Sequence, residues 1–172
     1  MPRILSARVI FYLLILLVLE LSVLPFFRVG VFQPVLLYLM VLHAAFQWGW
    51  EKTVPMAVAA GVLRDLAGSH SLGLETAALV AASFVLDLLV QKIERDSQVT
   101  RVAVGFLFVF FVSILIVLFS NFLGEAREIS WYTFGVSVGT AFYSAMMLPP
   151  FFYVTGHWFH DRIPLKQYEL FG

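Results

Sequence analysis

The sequence predicts an all-α integral membrane protein of six transmembrane helices joined by short loops. Three observations carry that prediction. Of the 172 residues, 61% are apolar and only 13% are charged, where a soluble domain carries about 25% charged residues. Residues 102–124 and 129–156 contain no Asp, Glu, Lys or Arg, and about 20 apolar residues suffice to cross the bilayer core. The positive charges also fall preferentially on one side of the crossings those stretches imply. The mean hydropathy of +0.92 excludes a disordered chain. Lys+Arg and Asp+Glu are equal at 11 each, so no net basic field attracts nucleic acid. With no Cys, disulfides, thiolate metal sites and thiol catalysis are excluded.

Span one is 9–27, interrupted only by Glu20. Arg3 and Arg8 precede it as a signal peptide's basic residues would. The run Glu20-Leu21-Ser22-Val23-Leu24-Pro25 offers no small-x-small cleavage site, however, so the segment reads as a retained helix. Span two is 31–48, with His43 and Gln47 near its end. Span three, 53–66, ends in Arg64 and Asp65; at 1.5 Å per residue it reaches only about 21 Å, as a short crossing or a re-entrant segment would. Span four, 72–90, carries Glu75 near one end and Asp87, read as a solvated helix-end residue, near the other. Spans five and six are 102–124 and 132–156.

The charges decide how span three is used. Six crossings with the N-terminus inside place Arg3, Arg8, Lys52, Lys92, Arg95, Arg101, Arg162 and Lys166 in the cytoplasm, against Arg28, Arg64 and Arg127 outside, 8 to 3. A re-entrant span three gives 5 to 6 and no orientation. Six crossings with both termini cytoplasmic is the better arrangement. The whole chain, 1–172, is then one transmembrane domain. No loop is large enough to fold alone; 28–30 and 49–52 are tight turns, and 91–101 is the longest cytoplasmic loop.

In lipid, small residues that let backbones approach drive helix packing. Such rows occur at Gly135 and Gly139, at Ser137, Ala141 and Ala145, at Ala77 and Ala81, at Ala78 and Ala82, and at Ala57 and Gly61. They predict that spans three, four and six form the interior. Span five carries Phe106, Phe108, Phe110, Phe111, Phe119 and Phe122 in nearly all directions, as suits a helix facing lipid or a partner. Pro149-Pro150 should kink or end span six, and Trp48, Trp50, Trp131 and Trp158 fall at interfacial depth.

Ionisable residues inside a membrane are costly. Glu20, Arg64, Asp65 and Glu75 all lie toward the outer end of their spans and form a candidate polar cluster. The leading interpretation is a cluster that fixes helix register; an interaction surface for a partner and a ligand or ion site are the alternatives. His157-x-x-His160 beside Asp161 has a spacing that can hold a metal, but an interfacial tail explains it better. No nucleophile–base pair and no cofactor motif is legible, so neither an enzyme nor a cofactor or metal site is expected.

One stretch is not generic hydrophobic helix: Ala60-Gly61-Val62-Leu63-Arg64-Asp65-Leu66-Ala67-Gly68-Ser69-His70-Ser71-Leu72-Gly73-Leu74. Gly61 would allow close helix contact, Gly68 a positive-φ turn, and Gly73 a helix start at a crowded point. Asp65 would accept from free N–H groups of the turn or of span four. This stretch resembles the MreD family of rod-shape-determining proteins at Gly61, Asp65, Leu66, Gly68, Leu72, Gly73 and Leu74. Upstream, Pro34-Val35-Leu36-Leu37 matches the family's proline and aliphatic run but lacks its polar residue.

The resemblance implies a non-enzymatic subunit of the bacterial cell-wall elongation complex, in the cytoplasmic (inner) membrane. Such a subunit docks MreC and, with it, links MreB filaments to RodA and its class-B penicillin-binding transpeptidase. Gly61, Arg64, Asp65, Gly68, Gly73 and Pro34 would then shape the partner-docking segment, while Gly135 and Gly139 pack helices. The family's six-helix fold is similar to that of the substrate-binding subunits of energy-coupling-factor vitamin transporters. That similarity supplies the alternative function, which expects an outer cavity lined by Glu20, Arg64 and Glu75. A small enzyme or ion carrier built on intramembrane carboxylates is the weakest possibility.

Overall fold

The computed structural model describes residues 7–68, 71–93, 97–124 and 130–159. Among them the chain is helical, with seven α-helices and no β-strand. These are α1 (Ala7–Ser22), α2 (Leu36–Gln47), α3 (Trp50–Ala67), α4 (Leu74–Lys92), α5 (Gln98–Phe122), α6 (Trp131–Met146) and α7 (Leu148–Phe159). Helices α4 and α5 are long and apolar enough to cross a membrane.

The element boundaries follow from local chemistry. Pro25 cannot continue α1, which stops at Ser22 and is followed by one 3-10 turn over Leu24–Phe27. Val29 and Phe32 then exchange both backbone hydrogen bonds around Gly30, at φ 62°. Residues 33–35 are non-helical, so the second predicted span contains a helix of only 12 residues. The third is longer than its apolar run suggests, because Trp50, Glu51 and Lys52 form its first turn. Its 18 residues make one uninterrupted helix, about 27 Å long, and not a re-entrant hairpin. The sixth breaks into α6 and α7 at Met147, just ahead of Pro149-Pro150.

The core is organised around α2. Every residue from Leu37 to Phe46 is buried, and α1, α3, α4, α5 and α7 all pack against this helix. This corrects the expectation that spans three, four and six form the interior: α6 buries only the Ser137, Ala141, Ser144 and Ala145 face. Span five was expected to face lipid or a partner. Instead α5 buries Val104, Gly105, Phe108, Val109, Val112, Val117 and Ser120, a stripe of helical period set against α2, α4, α6 and α7. Phe111 and Phe122 do face outward.

Glycine contacts sort the small-residue rows. A Cβ on Gly61 would lie 2.4 Å from the Thr76 Cα, so α3 and α4 touch backbone to backbone there. Gly105 instead makes room for a side chain, that of Leu148. Gly139 packs against the Phe32 ring and not against a helix, and nothing lies within 4 Å of a Cβ on Gly135. The expectation that Gly135 mediates helix packing is therefore not met; this side of α6 is open.

Candidate functional site

Helix α2 begins without a local cap, as α4 does, so each leaves free N–H groups in its first turn. Carboxylates from other helices satisfy them. Glu20, two residues from the end of α1, accepts from the Leu37 N–H at 3.2 Å. Asp65, at the end of α3, accepts from the Glu75 N–H at 2.9 Å through Oδ1 and from the Thr76 N–H at 3.1 Å through Oδ2. The Thr76 hydroxyl donates to the same Oδ2 at 2.5 Å. Ser144 of α6 accepts the Val35 N–H at 3.2 Å, and the Gln33 amide donates to the Glu20 carbonyl at 3.1 Å. The unwound backbone before α2 is thus held by α1, through Glu20, and by α6, through Ser144.

Arg64 joins the two capping systems. Its Nη1 pairs with Glu20 Oε1, and its Nε donates to Glu75 Oε2 at 2.7 Å. The Tyr38 hydroxyl donates to the same Glu75 oxygen at 3.1 Å, and the Arg64 guanidinium lies 5.4 Å from the centre of the Tyr38 ring. Glu20, Glu75 and Asp65 are buried at 1%, 5% and 6% exposure. All six carboxylate oxygens have a named donor, counting Glu75 Oε1 with Arg64 Nη2 at 3.5 Å. The cluster holds three carboxylates and one guanidinium, and the positive ends of α2 and α4 offset part of the excess.

The four polar residues singled out from the sequence therefore meet, and the cluster ties α1, α2, α3 and α4 together. Tyr38, Gln33 and Thr76 belong to it as well and were missed. A buried tyrosine needs a hydroxyl partner, and Tyr38, opposite the acidic span ends, carried that signal. Pro34 is buried, beside Val35 whose N–H Ser144 holds. The expected roles of Gly68 and Gly73 are corrected. Gly68 is extended, at φ −85°, and it is Gly73 that takes the left-handed conformation, at φ 93°. The start of α4 at Gly73 is uncrowded, with nothing within 4 Å of a Cβ there, so backbone conformation and not space calls for glycine.

Tyr12 of α1 and Thr155 of α7 share a hydrogen bond of 2.9 Å between buried hydroxyls. An open groove of about 460 Å³ runs along α3 and α4 on the outer side of the Asp65 cap, lined by Val62, Asp65, Leu66, Leu72, Gly73, Thr76, Ala77 and Val80. A second cavity, of about 200 Å³, lies at the opposite end of α2 between Gln47, the start of α5 and Phe152 of α7. An apolar groove of about 430 Å³ adjoins it between α5 and α6. Asp87 accepts from Gln91 one turn on, at the end of α4. His160 and Asp161 of the possible metal pair lie outside the described residues, and among those described no three metal-ligating side chains converge.

Compared with family models, characterised proteins and solved structures, the chain matches none.

Proposed function

We propose that this chain is a six-span, non-enzymatic subunit of the bacterial inner membrane that acts by docking other membrane proteins. The crossings are α1, the 31–35 segment with α2, α3, α4, α5, and α6 with α7 as one bent crossing. The 8 to 3 charge split supports this count with both termini in the cytoplasm. The Glu20–Arg64–Glu75 cluster then lies in the outer half of the bilayer.

The observation that carries the docking role is the closure of that cluster. Every carboxylate oxygen is engaged by Arg64, Tyr38, Thr76 or a helix N-terminus, so the site rigidifies and holds no ligand group in reserve. None of the grooves described above is lined by Glu20, Arg64 or Glu75, which disfavours the vitamin-uptake alternative. What the clamp presents to the bilayer is the α3–α4 groove, with Val62, Leu66 and Leu72 exposed. In lipid such a groove has no hydrophobic drive of its own but offers close packing to a partner helix.

Together with the resemblance of the Gly61–Leu74 segment, this supports an MreD-like subunit of the elongation complex. It would dock the single-span MreC and through it link MreB filaments to RodA and its class-B penicillin-binding protein. The test is a mild-detergent pull-down of the tagged chain from its native membranes, with partners identified by mass spectrometry. Recovery of MreC, with or without the synthase pair, supports the proposal. Recovery of a transporter's ATP-binding and coupling subunits overturns it in favour of substrate uptake.

A further inference from the structure

Helix α1 sits on the bundle by a narrow stripe. Of its described residues, Tyr12, Leu13, Leu16 and Glu20 are buried, while Phe11, Leu14, Val18 and Leu21 on its other side are exposed. In lipid the two leucines gain little by exchanging one apolar surrounding for another, so the polar residues at either end of the stripe decide how firmly α1 is held. Near its start, the Tyr12 and Thr155 hydroxyls share a 2.9 Å hydrogen bond, and neither group titrates in the acid range. Near its end, one Glu20 oxygen pairs with Arg64 of α3 and the other accepts the Leu37 N–H of α2 at 3.2 Å. Among the described residues, the charged or titratable groups facing Glu20 are Arg64 from α3, Glu75 from α4 and the Tyr38 hydroxyl from α2. Both Glu20 oxygens are acceptors, which requires the ionised form. A proton on either would set an O–H against an N–H donor, and one of the two contacts would break. Glu75 has more latitude: its Oε1 meets Arg64 Nη2 at a loose 3.5 Å, so a proton there leaves the Oε2 contacts to Arg64 Nε and Tyr38 in place.

We propose that Glu20 is a proton-operated latch: on taking up a proton from the outer side it releases the end of α1 from α2 and α3 and opens the α1–α3 seam, while Tyr12 keeps the start of α1 on α7. The movement is bounded, because the turn after α1 is itself fastened to α6. The Tyr143 hydroxyl donates to the Phe27 carbonyl at 2.7 Å, and the Phe32 ring lies against Gly139. Neither contact titrates in the acid range, so α1 parts from α3 without leaving the bundle, and restoring the charge closes the seam. Linkage fixes the sign: the latch stabilises the closed seam while Glu20 is ionised, and that contribution is lost as pH falls. The inference rests on the membrane reading of the chain but not on its partners.

The chain has no Cys, so paired cysteine substitutions carry spin labels at chosen positions and nowhere else. Leu21→Cys with Leu66→Cys spans the seam, and Phe11→Cys with Tyr153→Cys spans the Tyr12–Thr155 fastening; all four positions are exposed. Distances are read by electron paramagnetic resonance on the full chain in lipid nanodiscs. Lowering the pH from about 7 to about 4, across the ordinary carboxylate range, should add a longer, reversible population to the first pair and leave the second unchanged. Glu20→Gln offers one acceptor and one donor, as the protonated acid does. It should show the longer population already at neutral pH and lose the pH dependence, whereas Glu75→Gln should keep the short distance at neutral pH. A Leu21–Leu66 distance that acid leaves unchanged in the parent chain would overturn the proposal, and that measurement stands even if Glu20→Gln fails to fold. Lengthening of both pairs together would overturn it as acid unfolding of the whole bundle, and lengthening with Glu75→Gln at neutral pH would take the release away from Glu20. Release of the chain from native membranes by alkaline carbonate would instead overturn the membrane reading itself.

Discussion

Asp65 caps a helix to which it does not belong: from the end of α3 its two oxygens take the Glu75 and Thr76 N–H groups of α4 at 2.9 and 3.1 Å. Those are the second and third N–H groups of α4, the ones a local Ser, Thr or Asp ordinarily satisfies. Gly73, at the N-cap position, has no side chain to do so. The α3–α4 hairpin is therefore closed by its own cap, beside the Arg64–Glu75 pair that also spans it.

Removing that carboxylate should open the hairpin. Asp65→Ala strands two N–H groups and the Thr76 hydroxyl, and a lost cap costs about 0.5–2 kcal/mol; burial places the expected loss at the upper end. Asp65→Asn keeps one acceptor oxygen and should recover part of it. Unfolding followed by circular dichroism in detergent measures both. Equal stability of Asp65→Ala and the parent would refute the capping role.

Arg64 should be the most costly single removal in the cluster. Arg64→Met leaves Glu20 and Glu75 buried without their cation, and breaking a buried pair this way costs about 3–5 kcal/mol. Adding Glu20→Gln and Glu75→Gln neutralises the stranded charges and should restore much of that loss. A double-mutant cycle reads this directly. Additive effects would mean that Arg64 does not couple α1 to α4.

Two glycines separate space from composition. Gly61→Ala drives a Cβ to 2.4 Å from the Thr76 backbone and must push α3 from α4, with a loss of about 1–3 kcal/mol by overpacking. Gly135→Ala adds a methyl to open space and removes a helix-interior glycine, so it should be neutral or stabilising by up to about 1 kcal/mol. Melting temperatures of the two variants in one detergent check the contrast.

The partners of this cluster were legible for a physical reason: charges are so rare in this chain that Glu20, Arg64, Asp65 and Glu75 stand out, and burial forces them together. Helix ends were less legible. Apolar-run counting stopped span three at Lys52, although Glu51 and Lys52 extend from the first turn of α3 without burying charge. It also ran span two through residues 31–35, where no residue type announces that Ser144 and Glu20, distant in sequence, will hold an unwound backbone. The central position of α2 was equally hidden. Apart from His43 and Gln47 its 12 residues are apolar on all sides, and such a helix reads alike whether it faces lipid or protein. Gly135 and Gly139 show the converse limit, since a small-residue row marks a possible approach but does not say what approaches.

The docking face yields the sharpest functional expectation. Ala77 and Val62 flank the α3–α4 groove from opposite helices and are exposed, so Ala77→Trp fills the groove without entering the core. If a partner's membrane helix seats there, this variant should retain its melting temperature and recover at least about tenfold less MreC in the pull-down, about 1.4 kcal/mol of association. Phe122→Ala removes a comparable exposed apolar surface at the far end of α5 and should leave recovery unchanged. Loss of MreC with Phe122→Ala but not with Ala77→Trp would move the interface to α5 and leave the clamp as a device for stability alone.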